Sequence, residues 1–79
     1  MAWTAFTFWL ETVGLTVEFI LETPERCDEV LTIYVTNGFR RRAAYRILRY
    51  AVLATQFFYP GMRFKLPNAW ATLRGWETK

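Results

Sequence analysis

The sequence predicts an all-α fold, a small membrane-associated helical protein, and three observations carry that expectation. An apolar stretch over residues 2–21 repeats its large side chains at helical spacing. Thr23-Pro24, followed by Glu25, Asp28 and Glu29, has the punctuation of a helix start, with a hydroxyl cap, a proline in the first turn and acids near the positive dipole end. Residues 39–60, "FRRRAAYRILRYAVLATQFFYP", set five arginines ahead of an aromatic run that stops at a proline. A soluble ββα unit is the alternative, because Val13, Leu15, Val17, Phe19 and Leu21 alternate with period two and "VLTIYVT" is rich in β-branched residues.

The first element is expected to run as one helix over residues 2–21. Trp3, Phe6, Leu10, Val13, Val17 and Ile20 form an apolar stripe, and Thr4, Thr7, Glu11, Gly14, Glu18 and Glu22 a polar or small one. Twenty residues at about 1.5 Å each reach roughly 30 Å, the thickness of a bilayer's hydrocarbon core. The helix is therefore near-spanning, spanning or deeply embedded. Its glutamates offset most of the gain from the apolar residues, so it wants a protein neighbour along the Thr/Glu/Gly stripe.

The second helix is placed at residues 24–36, with Asn37-Gly38 as its stop. The third, at 39–59, is arginine-rich and amphipathic. Arg42, Arg46 and Arg49 share one face with Leu53 and Gln56, and Ala44, Ile47, Ala51, Ala54 and Phe58 share the other. Residues 43–62 extend to a second span only if Arg46 and Arg49 snorkel at its beginning. Residues 60–79 form an interfacial tail in which Trp70 and Trp76 lie among Arg63, Lys65 and Arg74, an aromatic and basic mixture suited to a membrane boundary.

The 79 residues make one small domain whose core is marginal without support. One cysteine, Cys27, and no histidine leave no disulfide framework and no His/Cys metal site within the chain. The composition is 53% hydrophobic and 19% aromatic, more apolar surface than so short a chain hides, so a partner or lipid is implied. Charge divides along the chain: residues 1–36 carry a net −5 and residues 37–79 a net +8. The N-terminal segment has no base and three glutamates, which is not the pattern of a cleavable targeting signal.

No catalytic residue, cofactor site or metal site is read from the sequence. It has no phosphate-cradling glycine loop, no nucleophile beside a base and no histidine for proton transfer. The expectation is a non-enzymatic protein. Arg42, Arg46 and Arg49, with Trp70 and Trp76, are the candidate lipid- and partner-binding residues, their guanidinium groups matched to head-group phosphates or a partner's carboxylates. Glu11 and Glu18, on one face, are candidates for an intramembrane ion pair with the arginine helix or for proton movement.

In size and composition the chain is similar to the small accessory subunits that surround large energy-converting membrane complexes such as respiratory enzymes or ATP synthase. That resemblance implies a structural or assembly role in the mitochondrial inner membrane, with other subunits and an anionic phospholipid such as cardiolipin as partners. The alternative is a small RNA-associated, ribosomal peptide bound through its arginines. Against nucleic acid stands the apolar run "YAVLATQFFY" that continues the arginine helix.

Overall fold

Threonine caps and Schellman endings decide where the first helices of this chain begin and end. The computed structural model describes residues 2–77, with side chains over residues 3–75. These form α1 (Ala2–Thr12), α2 (Val17–Ile20), α3 (Pro24–Arg40), α4 (Tyr45–Phe58) and α5 (Pro67–Glu77), with a 3-10 turn at Pro60–Met62 between the last two. No strand occurs among the described residues, so the all-α expectation holds and the ββα alternative fails.

The expected helix over residues 2–21 is two helices. After Thr12 the amide of Gly14 donates to the Glu11 carbonyl at 3.1 Å and that of Leu15 to the Leu10 carbonyl at 2.9 Å. This bond pair is a Schellman ending, and its left-handed residue is Gly14, at φ 78°. Thr16 then restarts the chain, its hydroxyl accepting the Phe19 N–H at 3.1 Å as the cap of α2. Glycine accepts the left-handed conformation and threonine rewards a new helix start, and together they outweigh the apolar periodicity. None of the described helices is long and apolar enough to cross a membrane, which removes the near-spanning helix and the second span over 43–62.

Thr23 caps α3 as expected, its hydroxyl taking the Arg26 N–H at 3.2 Å with Pro24 in the first turn. The helix does not stop at Asn37-Gly38 but continues to Arg40. Gly38 serves packing instead: a Cβ there would collide with the Leu48 side chain of α4. Its absence lets the two helices approach closely. α3 closes with a second Schellman ending, in which Ala43 N–H donates to the Gly38 carbonyl at 2.8 Å and Arg42 N–H to that of Phe39 at 3.0 Å. Here the left-handed residue is Arg42, at φ 59°.

α4 therefore starts at Tyr45, and Arg40 ends α3 while Arg41 and Arg42 lie in the α3–α4 turn, rather than on one continuous helix over 39–59. Its inner face is Leu48, Ala51, Val52 and Thr55. Of the expected face only Ala51 is buried, because Leu48 and Val52 offer more apolar area than Ala44 and Ala54. The expected tail over 60–79 is also revised: α5 packs against α3 and α4, with Leu66, Ala69 and Leu73 in the core.

α1 runs antiparallel to α4, since the Trp3 ring lies tilted against Phe58 with centroids 5.4 Å apart while Thr12 borders the same cavity as Ala43. Phe6 and Trp9 close the core over Tyr34 of α3, with ring centroids 5.0 and 5.2 Å away. These edge-on and tilted contacts join α1 to α3 beneath the α1–α4 pair.

Candidate functional site

α4 is apolar on two faces, and only one of them is covered. Its outward line runs Arg46, Tyr50, Leu53, Phe57, at steps of four, three and four residues, the spacing of a seam that meets another helix. Tyr50 is 50% exposed and Phe57 78%, so this second apolar stripe faces solvent. Trp3 and Thr4 of α1 form one wall beside it and Phe58, 54% exposed, closes the end. With Ala54 these residues enclose an open groove of about 630 Å³.

Charge is graded along the same face. Arg46 and Arg49 are exposed at its N-terminal end, next to Arg40 at the end of α3 and Arg41 and Arg42 in the turn that follows, and α4 has no acid in its first turn. None of these five arginines joins an ion pair among the described residues, where the one salt bridge is Arg26 to Glu22 at 2.8 Å. Arg26 is further held by the Phe19 carbonyl at 3.0 Å and by stacking on the Phe19 ring at 4.1 Å. Arg40, Arg41, Arg42, Arg46 and Arg49, all exposed, can meet charge from outside.

The other residues singled out in the sequence are dispersed. Trp70 is half-buried, its indole N–H donating to Gln56 Oε1 at 2.8 Å, and so ties α5 to α4. The side chain of Trp76 lies outside the described residues. Glu11 and Glu18 are exposed around a shallow cavity at the α1–α2 turn, with no cationic partner among the described residues. No arginine of α4 meets them. Their expected burial in a span has no counterpart, because the helix that would have carried them is interrupted at Gly14.

Sequence reasoning overlooked three features. The sequence reading places Leu53 on the arginine face but leaves Tyr50 and Phe57 within an apolar run, although the spacing of all three relative to Leu48, Val52 and Thr55 divides the helix into two stripes. Asp28, 4% exposed, accepts the main-chain amides of Asn68 and Ala69 and so caps α5 from α3. Phe64, 88% exposed at φ 64°, occupies the third position of a turn closed by Lys65 N–H to the Met62 carbonyl at 3.0 Å. With Arg63 at φ −60° and ψ 133°, this is a type II turn, whose third position favours glycine.

No group of three or more cysteine or carboxylate side chains able to hold a metal occurs among the described residues. Burial, helped by the neighbouring Asp28 carboxylate, pushes the Cys27 thiol up to about 11, and burial raises the Tyr34 phenol. Both effects suppress the ionised, nucleophilic forms. No family model matches the sequence, no curated protein is significantly similar to it, and no solved structure matches its fold.

Proposed function

We propose that the protein is a non-catalytic accessory subunit that attaches to a larger assembly through the outer face of α4 and the adjoining wall of α1. The open groove between Trp3, Tyr50, Leu53, Phe57 and Phe58 carries this reading, because it leaves core-like residues uncovered on a helix already packed on its other side. Interfaces concentrate aromatic residues and arginine at their centres, and this face has both. The composition, similar to that of accessory subunits of energy-converting membrane complexes, supports such a complex as the setting. Attachment is then from the surface of the assembly.

A photoreactive phenylalanine analogue at position 57, in the full chain expressed in its native cells, tests the reading. The expected outcome is a discrete protein adduct that disappears with Tyr50→Asp and does not form when the analogue replaces the exposed Ile33 of α3. Absence of a protein adduct, or an adduct removed by nuclease, overturns it.

A further inference from the structure

The outer face of α4 also carries information about what covers it. Three occupants are chemically reasonable: a lipid surface, a second copy of this chain, and a helix of another protein. A bilayer is met by a broad apolar face, whereas this one is a narrow stripe at steps of four, three and four, bordered by Trp3 and Phe58 and headed by arginines. Its shape suits a cylinder.

A second copy fits the groove in shape but not in charge. α4 contains Arg46 and Arg49 and no carboxylate, so a second α4 offers them its own arginines when parallel and its Phe57–Phe58 end when antiparallel, and an acid in neither case. A helix with acidic residues opposite Arg46 and Arg49 supplies the acid and forms bidentate pairs. The direction follows from dipoles. The N-terminus of α4 is its positive end, without a side-chain cap and flanked by arginines, so an incoming helix places its negative C-terminal end there. It lies antiparallel to α4.

We infer that the occupant is an amphipathic helix of a different protein, docked antiparallel to α4, with an apolar seam against Tyr50, Leu53 and Phe57 and acidic residues in its C-terminal half against Arg46 and Arg49. The inference rests on the docking role proposed for this face and specifies the partner's chemistry.

Two synthetic 18-residue helical peptides test it against the full-length chain. Both carry leucine at seam positions; one has two glutamates in its C-terminal half and the other two lysines at the same places. Binding is followed by titration, with the amide shifts of residues 46–58 as the site-specific readout. The glutamate peptide is expected to bind at least tenfold more tightly at low salt, with the difference shrinking in high salt. Arg46→Glu with Arg49→Glu, both exposed, is expected to reverse the preference. Equal affinities, or no binding by either peptide, overturn the acidic-helix assignment. So does binding to phosphatidylglycerol vesicles with no binding to the peptides, which identifies a lipid surface instead. Photo-adduct formation at position 57 does not depend on the partner's charge. An adduct without charge preference therefore sinks this inference and leaves the docking role standing, whereas loss of the adduct sinks both.

Discussion

Asp28 and Ala69, 41 residues apart, are joined by a 2.8 Å hydrogen bond from the Ala69 amide to Asp28 Oδ1, and Oδ2 accepts the Asn68 amide at 3.2 Å. The carboxylate of α3 thus does for α5 what a local cap does for most helices, and does it while buried. One side chain fixes where the last helix starts and how it lies on the third. Its loss leaves two main-chain donors at a helix end without an acceptor.

Asp28→Ala is accordingly expected to destabilise the fold by about 2–3 kcal/mol, combining a lost cap with unsatisfied amides in a buried setting. Asp28→Asn retains one acceptor oxygen and is expected to be milder by about 1 kcal/mol. Urea unfolding of the two variants reads the difference. Equal and small effects would mean that water serves the α5 amides as well as Asp28 does.

Gly38 and Leu48 form a second long-range pair, and here two effects oppose each other. Alanine is a better helix former than glycine by about 1 kcal/mol, yet its Cβ would collide with the Leu48 side chain, and overpacking costs about 1–3 kcal/mol. Gly38→Ala is expected to be net destabilising in the wild type. In a Leu48→Ala background the obstacle is gone, and the same substitution is expected to stabilise. A double-mutant cycle by thermal unfolding measures the coupling, and additive effects would remove the close-contact account of Gly38.

These pairs also explain which parts of the structure were legible in the sequence. Helices, the Thr23-Pro24 start of α3 and the inward positions of Phe6, Leu10 and Ile20 all follow from local rules, and each was readable. The break at Gly14 was written in equally local terms, but the apolar run around it masked the signal. Asp28 and Gly38 were not legible, because their roles depend on residues 40 and 10 positions away that only the fold brings close. The two-faced character of α4 lies between these cases. The stripes are visible in the sequence, but which of them is covered depends on where α1, α3 and α5 pack.

Arg42 and Phe64 occupy positions that glycine fills at little cost, and neither is buried. A left-handed conformation costs an ordinary residue about 1–2 kcal/mol, partly offset when glycine replaces it because glycine loses more freedom on folding. Arg42→Gly and Phe64→Gly are therefore each expected to stabilise the isolated chain by about 0.5–1 kcal/mol. Gly14→Ala is expected to destabilise by about 1 kcal/mol, although nothing lies within 4 Å of the added methyl, because the backbone itself is unsuited to it. Each kcal/mol corresponds to about 4–8 °C in Tm for a chain of this size. Destabilisation by either glycine replacement would show that the arginine or phenylalanine side chain makes a contact inside the fold that outweighs its backbone strain.

Cys27 supplies a pH dependence with a definite sign. Burial, then the Asp28 carboxylate, raises its thiol from 9.0 to about 11, so between these values the unfolded chain loses a proton that the folded chain keeps. Stability from this group is complete below about pH 9 and falls as pH rises toward 11, by about 1.4 kcal/mol per pH unit across the window. The buried Tyr34 phenol, also raised, adds a decline of the same sign above its ordinary value of 10.0. Urea midpoints measured from pH 7 to 10.5 are expected to drop, with a shallower slope in Cys27→Ala, whatever that variant loses in packing at neutral pH. The same burial predicts slow reaction of Cys27 with a thiol reagent at pH 8, accelerating as urea opens the fold. Parallel slopes for wild type and Cys27→Ala would show that the thiol ionises as readily in the folded chain as in the unfolded one, and would remove Cys27 from the account of alkaline stability.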